Sequence, residues 1–311
     1  MAVRTWLVAL LGAAAGCGQV GDSGLGGGQN MSTAGSASDG ASNLLGTVEL
    51  SVRAGQGVAG MVGGDGPGAV LDGWSVSYTK VLVTFGEATF RVGGRTFTEA
   101  KPVVVDLVTL AEAEPLTSFT AYRSPEGFGF TMPEADKEFV GLGGVDELDV
   151  EAMVAAGYSI YIEGAIEKQD GESCAPGDPN DCAPATRVSF AWGLAAGAAY
   201  AECGAIATVP DQSVAVDLVL PADAWLRTDF VTRGEGILRA QWIADADLDR
   251  DGEATLDELA AIKASALLPA ELGYDLSGAS ETIDTALDFL TAQARRLGRD
   301  GWGECTLVAG Q

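Results

Sequence analysis

The stretch GWSVSYTKVLVTFGEATFRV, residues 73–92, decides the fold class of this chain. Trp74, Val76 and Tyr78 occupy alternate positions, and a second alternating apolar run starts at Val81. A period of two residues places successive side chains on opposite faces of a strand. The stretch therefore predicts β structure with one face turned toward a core.

The same alternation recurs on both sides of this stretch. It is found in TVELSVRA (47–54), PVVVDLVTL (102–110), YSIYIEGAIE (158–167), RVSFAWGL (187–194) and SVAVDLVLP (213–221). Gly, Pro and Asp turns separate these segments, and a single short helix is predicted among them, at 146–157 and ended by Gly157. We therefore expect a mainly β fold, an antiparallel sandwich or barrel-like arrangement, and not a doubly wound α/β fold.

Helical periodicity replaces strand alternation after about residue 234. GILRAQWIADA (236–246) and LDELAAIKASALL (256–268) lie on either side of an acidic loop. A third segment, SETIDTALDFLTAQARRLG (280–298), has an apolar face and offers Ser280 as its N-cap. The sequence thus predicts a helical C-terminal segment that contains a helix–loop–helix.

The N-terminus, MAVRTWLVALLGAAAGC, has the layout of a secretory signal. Arg4 precedes an apolar run over residues 6–15, which is too short to span a bilayer comfortably, and small residues follow. Residues 14–17, AAGC, resemble a bacterial lipobox, although its first position is usually Leu. The resemblance implies cleavage before Cys17 and lipidation of that cysteine; the alternative is an ordinary secreted protein that is cleaved nearby.

The predicted organisation has four parts. Residues 18 to about 45 are rich in Gly and Ser without an apolar face, which is typical of a flexible tether. The parts are a signal peptide (1–16), a lipidated Cys with its tether (17–45), a β-sandwich-like domain (46–233) and a helical segment with an acidic loop at 247–258 (234–311).

Composition excludes several classes of function. Lys and Arg total 18 against 44 Asp and Glu, a formal charge of -26, so the surface repels nucleic acid and attracts divalent cations. The chain has no histidine, which rules out a Ser-His-Asp or Cys-His triad and a His-ligated zinc or haem. We therefore expect no nucleic-acid partner. Carboxylate pairs and Ser/Lys dyads need no histidine, so catalysis is not excluded, but we expect no catalytic residues and a protein that is not an enzyme.

Four cysteines follow Cys17, namely Cys174, Cys182, Cys203 and Cys305. An even number in an exported protein indicates two disulfides. Cys174 and Cys182 would close a short local loop, and Cys203 with Cys305 would then join the helical tail to the sheet. The sequence leaves three connectivities open, and free thiols or a soft-metal site are the alternative.

The acidic loop DLDRDGEATLDE, residues 247–258, predicts a calcium site. Its spacing resembles the EF-hand loop, with Gly252 at the sixth position, where the chain turns sharply. In this frame the predicted ligands are Asp247, Asp249, Asp251, the carbonyl of Glu253, Thr255 through a water, and Glu258. The resemblance covers about residues 237–265 and implies that the cofactor is Ca²⁺.

Two features depart from the EF-hand pattern. Ala254 stands at the eighth position, where a larger apolar residue usually pairs with a second loop, and the sequence contains no second acidic loop of this form. Binding with a Kd of about 0.1–1 mM, as in extracellular modules, is therefore expected. The site is expected to be structural; the alternative is a solvated acidic turn that caps the following helix.

The motifs together resemble a group of proteins. The lipobox and tether are followed by DGWSVSYTKVLV (72–83), VVVDL (103–107), SFAWGL (189–194), the acidic loop and GWGEC (301–305). This succession is similar to uncharacterised envelope lipoproteins of high-GC, myxobacteria-like bacteria. The resemblance implies an exported protein, lipid-anchored in the cell envelope, at the outer membrane or cell surface rather than the inner membrane, and it supplies no catalytic residues.

Three functions are compatible with these patterns. The first is a non-enzymatic cell-envelope lipoprotein with a structural calcium site and a binding or scaffolding role. Its protein or glycan ligand would contact any exposed members of an aromatic set, most of which is expected to lie in the core: Trp74, Tyr78, Trp192, Trp225 and Trp302. The others are a carboxylate-pair glycan hydrolase using Asp106, Glu163 or Asp217, and a calcium-dependent sensor that binds a partner.

Overall fold

The structure, a computed structural model, describes residues 46–66, 68–231, 236–298 and 305–308. The predicted signal peptide, Cys17 and the tether lie outside the described residues. Within those four ranges, no helix combines the length and the apolar content needed to cross a bilayer.

The described chain is mainly β, as predicted. Its strands are β1 (Gly46–Ala54), β2 (Ser75–Val92), β3 (Arg95–Asp106), β4 (Glu114–Ala121), β5 (Gly127–Met132), β6 (Val140–Leu142), β7 (Ile160–Glu167), β8 (Glu172–Cys174), β9 (Cys182–Pro184), β10 (Arg187–Leu194), β11 (Ala198–Ala201), β12 (Ser213–Leu220), β13 (Glu253–Ala254) and β14 (Thr306–Leu307). The α-helices are α1 (Glu147–Ala156), α2 (Gln241–Asp245), α3 (Leu256–Ala261), α4 (Ala264–Leu267) and α5 (Ala286–Ala294), with short 3-10 helices at Ala224–Leu226 and Ala270–Leu272.

The long strand β2 organises a nine-stranded sheet. The order is β13-β10-β7-β2-β5-β11-β14, with β3 also on β2 and β6 on β3. β7 pairs with Ser75–Val83 and β5 with Ala88–Arg91, so the two follow one another along one edge of β2, while β3 takes the opposite edge. The register shifts near Tyr78 and Phe85, and the sheet is curled and open.

Most strand pairs are antiparallel, as expected, but three are parallel. They are β1–β12, β3–β6 and β10–β13. The first belongs to a separate three-stranded sheet with the order β12-β1-β4, and β8 and β9 form a two-stranded hairpin. The parallel pairs join segments that are distant in sequence, so hairpin turns do not generate them.

The predicted helix at 146–157 is confirmed as α1. Its N-cap Asp146 accepts a hydrogen bond from the backbone N–H of Leu148, and Gly157 ends it in the left-handed region with φ 67°. Glycine adopts this conformation without the steric cost that a β-carbon brings.

The helix before the acidic loop is shorter than the sequence indicates. It was expected over 236–246, but α2 begins at Gln241 because Asp72 accepts hydrogen bonds from the N–H groups of Ala240 and Gln241, at 2.8 Å each. Upstream, Leu238 forms extended bridges with other segments. A carboxylate distant in sequence therefore sets where this helix starts.

The last predicted helix also starts late, at Ala286 rather than after Ser280. Thr285 and Asp288 cap the helix reciprocally, and Thr285 bridges to Lys263 in an extended conformation. That extended contact also separates α3 from α4, where one helix was expected over 256–268. Local caps and the contact between Lys263 and Thr285 therefore determine where these helices start and end, and the helical periodicity of the sequence does not.

The β strands and the C-terminal helices share one hydrophobic core. The rings of Trp192 on β10 and Trp242 on α2 stack at 5.6 Å between centroids, and Trp242 meets Phe289 on α5 edge-on at 5.9 Å. The proposed aromatic platform is not exposed: Trp74, Tyr78, Trp192 and Trp225 are all buried. Trp302 lies outside the described residues.

Two disulfides are present, as predicted. Cys174–Cys182 joins β8 to β9, and Cys203–Cys305 links residues separated by 102 positions in sequence. The structure thus selects one of the three possible connectivities. Structural disulfides persist mainly in oxidising compartments, so this pairing suggests an extracytoplasmic protein.

Candidate metal site

The acidic loop 247–258 connects α2 to α3 through a tight turn. The side chain of Asp247, only 4% exposed, accepts hydrogen bonds from the N–H groups of Asp251 at 3.0 Å and Gly252 at 2.9 Å. Gly252 has φ +91°, a conformation that other residues rarely adopt. A buried carboxylate and a left-handed glycine therefore define the shape of the loop.

Three carboxylates converge inside this turn. Asp247, Asp249 and Glu258 each offer an oxygen, and these oxygens lie within 4.8 Å of one another. Calcium binds oxygen at about 2.3–2.6 Å, so two ligands of one ion lie at most about 5 Å apart. The three side chains can therefore coordinate a single metal ion.

Among the described carboxylates, Asp251 is the predicted ligand that lies outside this group. Asp251 is exposed, and its Oδ1 accepts a hydrogen bond from the N–H of Glu253. Thr255 is the N-cap of α3, and both its N–H and its hydroxyl donate to Glu258 Oε2 at 2.8 Å. Coordination by Asp251, the Glu253 carbonyl and Thr255 stays a prediction.

The electrostatics of the site favour a cation. Burial raises the pKa of Asp247, against the effect of two backbone hydrogen bonds, and the negative charges of Glu258 and Asp251 add to the increase. Burial would also raise the pKa of Glu258, but hydrogen bonds from Thr255 and from backbone N–H groups outweigh it and lower that pKa. A bound cation would relieve the repulsion between these charges.

A strand of the sheet supports the loop from the side where a second loop would be expected. Glu253 and Ala254 form β13, which pairs with Ser189 and Phe190 of β10. The carbonyl of Gly252 accepts hydrogen bonds from both the N–H and the hydroxyl of Ser189, at 2.9 and 3.0 Å. The unpaired loop is therefore held by the sheet.

Trp192 completes this support. Its indole N–H donates to the carbonyl of Ala254 at 2.7 Å, and both residues are fully buried. The sequence favoured a core position for most of the aromatic set, but the contact of Trp192 with the loop was not predicted. No local pattern marks this contact, because the two residues are 62 positions apart.

Arg250 connects the loop to the hairpin closed by the Cys174–Cys182 disulfide. Its guanidinium lies 2.8 Å from the carboxylate of Asp181 and also donates to the Asp181 carbonyl at 3.2 Å. Both side chains are substantially exposed, so the pair contributes at most about 1 kcal/mol. It joins the hairpin to the loop and adds little to the stability of the fold.

Gly252→Ala should weaken calcium binding. A β-carbon at Gly252 would meet no atom closer than 3.9 Å, so the cost of about 1–2 kcal/mol comes from the left-handed backbone. Gly144, with φ +87° and open space around it, is the matched control. Calcium titration should show weaker binding for Gly252→Ala alone; equal affinities in the two variants would contradict the role of this turn.

The three carboxylates considered for hydrolysis have structural partners. Asp106 Oδ1 accepts hydrogen bonds from the N–H groups of Val81 and Val108. Glu163 on β7 accepts from Thr79 and Tyr161. Asp217 accepts from Ser51 in the three-stranded sheet, whereas Glu163 belongs to the nine-stranded one.

Fold, disulfides and loop together define a class: a mainly β protein of extracytoplasmic type, with a cluster of carboxylates able to hold a metal ion. No family model, curated protein or solved structure matches this chain.

Proposed function

We propose that this chain is a non-enzymatic lipoprotein of the bacterial cell envelope, with a structural Ca²⁺ in an EF-hand-like loop and a binding or scaffolding role. The convergence of Asp247, Asp249 and Glu258 is the observation that carries the calcium assignment. All-oxygen ligands are those that calcium prefers, and millimolar calcium outside the cytoplasm suits a weak site.

A structural role fits the surroundings of the loop better than a switching role. A calcium sensor opens its two helices to expose an apolar groove. Here α2 and α3 have five and six residues, and the buried Trp242 and Leu259 anchor them in the shared core. Opening them would break that core, so calcium is expected to lock one arrangement.

The number of cysteines and their pairing support the lipid anchor. The chain has five cysteines, and the two disulfides use Cys174, Cys182, Cys203 and Cys305. Cys17, in its lipobox-like setting, is left for another modification. Several acyl chains, each gaining about 0.8 kcal/mol per buried methylene, would hold the protein firmly at a membrane.

Intact-mass spectrometry of the protein isolated from bacterial membranes tests the anchor. We expect a chain that begins at Cys17 and carries the additional mass of a diacylglyceryl group and an amide-linked acyl chain. The Cys17→Ser variant should be absent from the membrane fraction. A mature chain with an unmodified Cys17, or one that starts elsewhere, would contradict lipid anchoring.

A further inference from the structure

A cavity of about 550 Å³ lies against α2, the helix that leads into the candidate metal loop. Its walls are the disulfide-closed hairpin of β8 and β9, the helix α2, and the segment from α4 to the following 3-10 helix. Ligand sites of small molecules usually have volumes of about 300–1,000 Å³. The cavity is therefore large enough for a compact organic ligand.

Asp245 is the best-placed polar group in this cavity. Its Oδ1 accepts hydrogen bonds from the N–H of Cys174 at 2.8 Å and from the side-chain amide of Gln241 at 2.9 Å. Among the described residues, none donates to its Oδ2. One oxygen thus fixes the carboxylate in place, and the other is available to a ligand.

Within the described ranges, the partners of this carboxylate are a backbone N–H and a neutral side-chain amide, so neither partner carries a positive charge. A cationic group near Oδ2 would form a charge-assisted hydrogen bond with the carboxylate.

The remaining charges around the cavity favour the same sign of ligand. Four further carboxylates line it: Asp170, Glu172, Asp178 and Glu271. Lys168 is the one cation among the described residues of this lining; its ammonium donates to the backbone carbonyl of Asp72 at 3.0 Å and lies 6.0 Å from the Trp74 ring centroid, and its single charge is outnumbered by those of the carboxylates. The cavity is thus negative overall.

Apolar side chains form much of the remaining wall. They are Pro176, Pro179, Ala266, Leu267, Pro269 and Leu272. Leu272 is 47% exposed although it is a large hydrophobic residue. A ligand that covers this wall would bury apolar surface, which a bare metal ion cannot do.

We propose that this cavity binds a protonated amine carried on a short alkyl chain, with the ammonium on Asp245 and the chain against the proline and leucine wall. The amine can come from a free alkylamine or from a lysine side chain of a peptide. This gives the proposed binding role a ligand class; it depends neither on the lipid anchor nor on calcium.

Isothermal titration calorimetry of the full chain in saturating calcium tests the proposal. Hexylammonium should bind, whereas hexan-1-ol and hexanoate, which match its chain without the positive charge, should not. Nα-acetyl-lysine methylamide, with the norleucine analogue as its control, distinguishes the sources: binding of the lysine compound indicates a peptide ligand, and binding of hexylammonium alone indicates a free amine. Equal affinity for the amine and the alcohol would overturn the proposal.

Two carboxylate variants and one blocking variant test whether Asp245 and this cavity form the binding site. Asp245→Asn keeps an acceptor for the Cys174 N–H and should weaken hexylammonium binding about tenfold or more. Glu151→Gln, at an exposed carboxylate of α1 outside the lining, should leave binding unchanged. Ser265→Trp, at an exposed position in the lining, should block binding without disturbing the core. Equal effects of the two carboxylate variants, or full binding by Ser265→Trp, would overturn the assignment. Titration of the same samples with calcium measures binding at the acidic loop separately.

Discussion

Replacing Cys203 and Cys305 together by alanine is expected to lower the free energy of unfolding by about 4.7 kcal/mol. The bond closes a loop across 102 residues, so its loss frees a large part of the unfolded chain. It also ties the C-terminal strand β14 to β11, with which it pairs at Tyr200 and Ala201. Equilibrium unfolding in urea measures the loss.

The second disulfide is the matched control for this effect. Cys174 and Cys182 are only 8 residues apart, so chain entropy predicts a smaller loss, about 2.5 kcal/mol, when both are replaced by alanine. A loss for this pair that equals or exceeds the loss for Cys203 and Cys305 would contradict the loop-length explanation.

Calcium is expected to stabilise the folded chain by about 1–3 kcal/mol when its concentration is five to a hundred times Kd. The reason is that only the folded state brings Asp247, Asp249 and Glu258 together. Unfolding in urea with calcium and with EDTA measures the difference. Identical midpoints in the two conditions would remove the calcium assignment.

Glu258→Gln should abolish this calcium-dependent stabilisation. Glutamine keeps an acceptor for the cap of α3, but it loses the charge that faces the ion. Asp257→Asn is the control, because Asp257 is exposed in the same first turn and lies outside the converging group. The control should retain the full calcium effect, and loss of the effect in both variants would indicate a general charge response instead.

The strands of the large sheet could be predicted because their signal is local. In β7 and β10, apolar residues alternate with polar ones, and the buried face follows that alternation. The sequence could not predict which strands pair with one another. β1 lies parallel to β12, with Thr47 opposite Ser213, 166 positions later, and nothing in either segment specifies that partner.

The candidate site could likewise be predicted only in part. The spacing of acids around Gly252 predicted a set of ligands that includes the three converging carboxylates and also Asp251, which lies outside them; a twelve-residue loop is a local unit, so its spacing is visible in the sequence. Its support was not predictable: Ser189 and Trp192 hold the loop from β10, and Asp72 sets the start of α2. These contacts join residues more than 60 positions apart, so they exist only once the sheet has formed.

Isothermal titration calorimetry of the full chain with calcium tests the central claim, which is that the acidic loop binds one Ca²⁺. We predict one saturable site per chain with a Kd of about 0.1–1 mM. Asp249→Asn should remove this site while the fold is retained, because Asp249 is exposed and its Oδ1 accepts only a 3.2 Å hydrogen bond from within the loop. A wild-type chain that shows no saturable site, or binding that survives in Asp249→Asn, would contradict the claim that this loop binds calcium.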